Sequence, residues 1–271
     1  MLPNEIQAFA EANNFTPVQE LSPGYCSRIF TDGSRILKYP FQGEEQTSGA
    51  LAALKLQSIG GPKIFAHHKP TGSLIMERIL GNQNLLTKCY TSDPHFPSIE
   101  EGIPSDETTF INLALKMRGL DTHNCQPLEN YYTNPPENAL KLLKTPQISP
   151  NLPKPPAQKV FLHGDLHHEN ILYDPIIDQY RPIDPKGLIG DPAFECAAFL
   201  RNPIESIPTH PDLYNFTIGR INRLSQALDL DPSRIAAWLY IDRFCDLQDD
   251  PDNPKWQNIL PIFKQILDSF S

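Results

Sequence analysis

The spacing of apolar positions changes period several times along the chain, and each change marks an element. Residues 4–12 predict a short helix. The runs Ser27-Arg28-Ile29-Phe30-Thr31 and Ser34-Arg35-Ile36-Leu37-Lys38-Tyr39 flank Asp32-Gly33, a strong hairpin signal. Residues 44–59 return to helical spacing through Ala50, Leu51, Leu54 and Ile59, and Gly60-Gly61-Pro62 stops that helix. Lys63-Ile64-Phe65-Ala66 and Leu74-Ile75-Met76-Glu77-Arg78-Ile79 predict two more strands around a Pro-Thr-Gly turn. The expected N-terminal lobe, residues 1–79, is thus a small antiparallel β-sheet with one inserted helix.

After Gly81 the pattern becomes mostly helical. Residues 91–105 carry Pro94, Pro97 and Pro104 and predict a loop, and residues 106–121 a helix. Residues 145–156 hold five prolines and predict a stiff loop that delivers the chain to a strand at Lys159-Val160-Phe161-Leu162. Asp191-Pro192 reads as a helix start, with Asp as N-cap and Pro at the first helical position. Helices over 211–229, 232–247 and 255–270 complete residues 80–271 as a larger C-terminal lobe. The fold class expected is α+β with two lobes.

Chemistry concentrates in one run, Val160-Phe161-Leu162-His163-Gly164-Asp165-Leu166-His167-His168-Glu169-Asn170-Ile171-Leu172. Asp165 and Asn170 lie five positions apart between two apolar stretches, and Asp184 follows Asp165 by nineteen. Phosphoryl transfer from ATP needs a carboxylate for the acceptor hydroxyl, then an amide oxygen and a second carboxylate for magnesium. Asp165 is therefore the expected acceptor base, and Asn170 and Asp184 the metal ligands. The spacing matches the kinase pattern H-x-D-x-x-x-x-N, with Gly164 at the second position. A zinc hydrolase is the rival, because His163, Asp165, His167, His168 and Glu169 crowd together. Their order is not H-E-x-x-H, and zinc leaves the Asn170 and Asp184 spacing without a use. His163 is expected to be structural.

Composition narrows the partners. A net charge of −9 argues against nucleic acid, which needs basic stripes. No apolar run is long enough to span a bilayer, and Met1-Leu2-Pro3-Asn4-Glu5-Ile6 is not a signal peptide. The five cysteines are scattered and never C-x-x-C, which suits a reduced, cytoplasmic protein without a zinc ribbon. The 28 prolines against 14 glycines imply many stiff loops.

Lys38 ends the second arm of the hairpin, where a strand lysine can pair with phosphates. The loop Ser22-Pro23-Gly24-Tyr25-Cys26-Ser27 is expected to cover the phosphates, with Ser27 among the nucleotide contacts. Met76-Glu77-Arg78-Ile79 sits where the sheet gives way to the helical half, so the backbone at Glu77 and Ile79 is the candidate for adenine hydrogen bonds.

The segments His163–Leu172 and Ile183-Asp184-Pro185-Lys186-Gly187-Leu188-Ile189-Gly190-Asp191-Pro192-Ala193-Phe194-Glu195, with Ala197-Ala198-Phe199-Leu200-Arg201-Asn202-Pro203, resemble the aminoglycoside phosphotransferase superfamily. The likeness is greatest to the streptomycin 6-phosphotransferase and hydroxyurea-resistance kinase group, over residues 18–80 and 158–250. The resemblance implies a protein-kinase-like fold, ATP and Mg²⁺, and a small-molecule hydroxyl as acceptor. It assigns Asp165 the catalytic role, Asn170 and Asp184 the magnesium, and Lys38 the phosphates. Ala50 stands where the group's inserted helix offers Lys38 a glutamate, so Glu45, on one helical face with Gly49, is the expected substitute. Gln248-Asp249 stands where the group often has Glu-Asp. Glu195, Asp246 and Asp249 are the candidate acceptor-side acids, and Asp242, Asp246 and Asp249 share one helical stripe expected to face Asp165. The leading reading is an ATP- and magnesium-dependent O-phosphotransferase acting on a small molecule such as an aminoglycoside. A metabolite or sugar-alcohol kinase, a weakly active nucleotide-binding regulator and a protein kinase are the alternatives. Against the last, only three residues separate Gly187 from Asp191, too few for an activation segment.

Overall fold

In the computed structural model, which describes residues 2–23, 26–41, 43–81, 83–100, 103–131 and 158–270, the chain has a kinase-like α+β fold. Strands β1 (Gln19–Pro23), β2 (Ser27–Thr31), β3 (Arg35–Pro40), β4 (Ile64–His68) and β5 (Ser73–Glu77) form an antiparallel sheet in the order β1-β2-β3-β5-β4. The Asp32-Gly33 hairpin forms as expected. Asp32 accepts from the Ser34 and Arg35 N–H groups at 3.0 and 2.7 Å, and Gly33 takes a φ of +104°.

Period-two alternation gives the sheet two working faces. Phe30, Leu37 and Ile75 point to one face, where helix α1 (Asn4–Ala12) adds Ile6 and Ala10 and Phe15 completes a small core. Ile29, Ile36, Lys38, Leu74 and Met76 line a cavity on the other face. β3 lies between β2 and β5, with Lys38 opposite Leu74 and Ile29, so the lysine projects from the middle of the sheet.

The inserted helix departs from the single run expected over 44–59. Gly43–Gln46 makes one 3₁₀ turn, Thr47 breaks the run, and α2 covers only Ser48–Leu56 before a second 3₁₀ turn at Gln57–Ile59. Tertiary docking overrides the spacing. The first turn of α2 presses on the segment after Asp184, where Ser48 Oγ donates to the Lys186 carbonyl at 2.8 Å. Gly187 has a φ of +74°, and a Cβ there would lie 2.4 Å from the Ser48 carbonyl oxygen, so only glycine permits this approach.

The remaining chain is mainly helical: α3 (Leu85–Cys89), α4 (Ser105–Met117), α5 (Glu195–Leu200), α6 (Leu213–Leu228), α7 (Pro232–Asp249) and α8 (Pro254–Ser269). Asp212, Asp231 and Asn253 cap the last three, each accepting a backbone N–H of the first turn. Pro232 and Pro254 take the first helical positions. α7 is the central helix, buried from Ser233 through Arg243. Two short sheets carry the site. β12 (Leu188–Gly190) pairs antiparallel with β9 (Val160–Leu162) and parallel with β8 (Gln126–Pro127), while β10 (Ile171–Asp174) and β11 (Gln179–Pro182) form a hairpin. Within the segment expected to be a loop, β6 (Ile99–Glu100) and β7 (Ile103–Pro104) form a minimal ribbon. The proline-rich stretch 145–156 lies outside the described residues. Among those described, no helix is long and apolar enough to cross a membrane.

Candidate active site

Two anchors fix the loop between β9 and β10. Glu195, buried at the start of α5, accepts the N–H of His163 at 2.6 Å and that of Gly164 at 3.2 Å, and bonds the Leu166 N–H as well. Burial pushes its carboxyl up to about 7, against the pull of those three N–H groups. Glu195 was expected on the acceptor side. It lies beneath the loop instead and holds its backbone.

The second anchor is His163. Its Nε2 lies 2.8 Å from the Ile183 carbonyl, and its own carbonyl accepts from the Lys186 and Gly187 N–H groups at 2.7 and 3.3 Å. A carbonyl only accepts, so Nε2 carries the proton. Burial depresses this imidazole to about 4, so it is neutral at pH 7 and structural, as expected.

These anchors bring Asp165, Asn170, Asp184 and Lys38 together. Asn170 Nδ2 donates to the Asp165 carbonyl at 2.8 Å, which leaves its Oδ1 for another partner. The Ile183 N–H bonds the Asn170 carbonyl at 2.9 Å, so Asp184 leaves the β11 side next to Asn170. Asp184 has a φ of +65°, a left-handed conformation that a non-glycine residue adopts at a cost. Its carboxylate pairs with the Lys38 ammonium. Burial raises the Asp184 carboxyl, but Lys38 outweighs burial and holds it below the usual carboxylate range.

The helical placement expected for the partner of Lys38 is corrected. Ala50 is buried and lines the cavity. Glu45 stands in the 3₁₀ turn before Thr47, off the helix that carries Gly49, so the shared helical face does not exist. The Glu45 side chain lies outside the described residues.

The cavity beside Lys38 measures about 660 Å³ and is walled by the sheet, by α2 and by Leu172, Pro182 and Ile183 beneath. Its lining is apolar except near Lys38, Glu77, Arg78 and Asp184. Ile79 lines it too, and its backbone N–H and C=O bond no other described residue. The neighbouring Glu77 N–H already bonds the Lys63 carbonyl at 2.8 Å. The Glu77 carboxylate is held by Arg181 at 2.6 and 3.0 Å, and Arg181 also reaches Asp174 and the Gly60 and Gly61 carbonyls. Glu77 is thus a brace between the sheet and the β10–β11 hairpin. Ser27 is buried in β2 opposite Pro40 and is not among the residues lining the cavity. Gly24 and Tyr25, central to the expected phosphate loop, lie outside the described residues.

The acidic stripe of α7 is already partnered. Asp242 pairs with Arg201 at 3.0 Å and with Arg243 at 2.9 Å, and Asp246 pairs with Arg243. Burial pushes the Asp246 carboxyl up to about 6 against the pull of Arg243. Asp249 is exposed and has no ion-pair partner among the described residues. Arg201, to which sequence reasoning gave no role, also donates to Asp165 Oδ1 at 2.9 Å.

The histidines of the loop diverge. His168 is buried, with Nε2 2.9 Å from Asp106, which also binds Arg220 at 2.6 Å and Tyr90 at 3.0 Å. His167 stays 3.9 Å from Asp165. Among the described residues, no three His, Cys, Asp or Glu side chains converge to hold a metal, so the zinc-hydrolase arrangement is not built.

The sequence profile of the aminoglycoside/hydroxyurea antibiotic resistance kinases matches residues 138–244. Streptomycin 6-kinase of Streptomyces griseus is 25% identical over 213 residues, 76% of this chain and 68% of that protein. Streptomycin 6-kinase of Streptomyces glaucescens is 27% identical over 218 residues, 78% and 69%. In the solved streptomycin-ATP ternary complex of APH(2")-IIa the fold is shared with a TM-score of 0.60 at 11% identity, over 97% of this chain and 99% of that one.

Proposed function

We propose that this chain is a phosphotransferase of the aminoglycoside phosphotransferase group, acting on hydroxyl groups, and that it takes its phosphoryl group from magnesium-bound ATP. The acceptor proposed is a hydroxyl of an aminoglycoside, as in the streptomycin 6-kinases it resembles. The observation that carries this reading is the Lys38–Asp184 pair at the edge of an apolar cavity of nucleotide size, with Asn170 next to it on the loop that carries Asp165.

In this reading the adenine enters the cavity and bonds the backbone of Ile79. Lys38 turns from Asp184 to the phosphates. The residues present fit magnesium, which takes one or two protein carboxylate or carbonyl oxygens and completes its shell with phosphates and water. Asn170 Oδ1 and the Asp184 carboxylate would hold it, and the ion would neutralise charge on the transferring group. Asp165 accepts the acceptor hydroxyl's proton as transfer completes. Residues 1–79 form the nucleotide lobe and 80–271 the catalytic and acceptor lobe, and ATP as donor implies a cytoplasmic site of action.

One observation favours a second reading, a kinase for a neutral metabolite or sugar alcohol. Asp242 and Asp246 are taken up by Arg201 and Arg243, which weakens the acidic wall a polycation needs. Purified protein with magnesium ATP and a panel of streptomycin, hydroxyurea and sugar alcohols separates the two. Phosphorylated streptomycin supports the first reading. Phosphorylation of sugar alcohols alone supports the second, and transfer to none of them removes both.

A further inference from the structure

The six-residue helix α5 touches the loop at both of its ends. At its first residue, Glu195 holds the backbone of His163 and Gly164. Just past its last residue, Arg201 holds the side chain of Asp165. Glu195 and Arg201 are six residues apart, a span of about 9 Å along a helix, and the intervening residues Cys196 through Leu200 are buried. The Arg201 N–H closes the helix on the Ala197 carbonyl at 3.1 Å, which ties the arginine to a rigid base.

The guanidinium is fixed on its other side as well. Its terminal nitrogen Nη2 meets Asp165 Oδ1 at 2.9 Å while Nε meets Asp242 Oδ2 at 3.0 Å. Asp242 is itself held by Arg243, whose planar group lies 4.5 Å from the Trp256 ring. The Arg201 and Asp165 side chains are only 20% and 23% exposed, so this pair is not one of the solvated surface pairs that contribute little. Nη2 hydrogen-bonds Asp165, and the Asp242 carboxylate beside Nε holds the planar group as an ion pair rather than a hydrogen bond, which restrains its direction as well as its distance. Asp165 has no other side-chain hydrogen bond to a described residue, and His167 is 3.9 Å away.

We infer that Arg201 is a positioning residue for phosphoryl transfer. It aims the Asp165 carboxylate at the acceptor oxygen, and Asp242 is the strut that holds Arg201 in place. The inference rests on the phosphotransfer reading above. Arg201 is absent from the residues lining the nucleotide cavity, so its loss should spare ATP binding and strike the transfer step.

The test uses Arg201→Lys and Asp242→Asn, with Arg201→Met as the stronger perturbation. The readouts are kcat and KM for ATP, with whichever of streptomycin, hydroxyurea and sugar alcohols the wild type phosphorylates as acceptor and, in its absence, with water. A misplacement of about 1 Å costs on the order of 10²-fold in rate, so Arg201→Met should lose about that much in kcat. Arg201→Lys keeps the charge without the fork and should lose roughly tenfold, as should Asp242→Asn. The KM for ATP and the thermal shift given by magnesium ATP should stay within about twofold of wild type in the latter two variants. Should Arg201→Met fail to fold, these two decide the matter. Arg201→Lys and Asp242→Asn with wild-type kcat overturn the assignment, and so does a loss confined to KM for ATP. A wild-type protein that transfers phosphate to none of streptomycin, hydroxyurea, sugar alcohols and water overturns the phosphotransfer reading itself, and the role of Arg201 falls with it.

Discussion

Glu195→Gln isolates the competition between burial and hydrogen bonding under the His163–Asn170 loop. The wild-type carboxyl is fully buried and raised from the ordinary 4.5 to about 7, burial outweighing the backbone N–H groups of His163, Gly164 and Leu166. Between those two values the folded chain keeps a proton that the unfolded chain has released. Stability therefore falls as pH rises through this window and levels off above it. The shift corresponds to about 3 kcal/mol. Gln does not titrate. It keeps one acceptor oxygen, but its NH₂ group turns a donor toward a buried N–H, at a cost of about 1–3 kcal/mol. At pH 5, where the wild-type carboxyl is protonated, Glu195→Gln should thus be less stable by about 1–3 kcal/mol. At pH 8 the wild type has lost about 3 kcal/mol, so the variant should match or exceed it. In thermal unfolding, a swing of about 3 kcal/mol is about 5 °C for a chain of 271 residues. The assay is the Tm of both proteins at several pH values from 5 to 8, and taking their difference cancels the other titrating groups. A gap that stays constant across that range would refute the reasoning, because it would mean the three N–H groups keep Glu195 ionised.

The other expectations are simpler to read. Asp165→Asn should bind magnesium ATP as wild type does but lose on the order of 10²-fold or more in kcat; wild-type turnover would remove Asp165 as the base. Asp184→Ala should abolish the thermal shift given by magnesium ATP, and an unchanged shift would take the metal role away from Asp184. Arg181→Met leaves the buried Asp174 and the Glu77 carboxylate without their guanidinium and should cost about 3–5 kcal/mol in urea unfolding; a loss below about 1 kcal/mol would show that the brace is idle. With streptomycin as acceptor, KM should rise with ionic strength, and Asp249→Asn should raise it roughly twofold at unchanged kcat. A KM indifferent to salt would remove Asp249 from acceptor binding.

The elements most legible in the sequence were those whose signals are local. Asp32-Gly33 specifies its hairpin through a positive φ and an aspartate that bonds the following N–H groups. Asp191-Pro192 specifies a helix start through a cap and a fixed φ, and Asp191 does accept the Ala193 N–H at 3.0 Å. The β10–β11 hairpin was not anticipated, although Asp174-Pro175 and the left-handed Asp178 are turn chemistry of the same kind. What the sequence hid is long-range. Nothing in Met76-Glu77-Arg78 says that Arg181, over a hundred positions away, will claim the Glu77 carboxylate. Helical spacing placed Glu45 on a face with Gly49, but docking of α2 on Lys186 and Gly187 starts that helix after Thr47. Glu195 was noticed as part of a motif, yet its role depends on a loop 31 positions upstream.

Net charge misleads about the site for the same reason. A value of −9 suggests a surface ready for cations, and the stripe on α7 suggests where one would bind. Yet Asp165, Asp242 and Asp246 share Arg201 and Arg243, three carboxylates against two guanidiniums, and Asp184 has Lys38. The two carboxylates proposed for the reaction are neutralised in different ways. Lys38 stands on a strand with its ammonium at the edge of the cavity, so in the proposed reaction arriving phosphates would compete for it and free Asp184 for metal. Arg201 is paired with Asp242 and does not line that cavity, so in the proposed reaction a nucleotide there would leave it on Asp165. Under the proposed reaction the first pair would be an exchange that ATP drives, and the second a fixed aim that persists through it. Acceptor recognition would then rest on carboxylates outside both pairs, and the Asp249→Asn and salt tests above decide whether Asp249 is one of them.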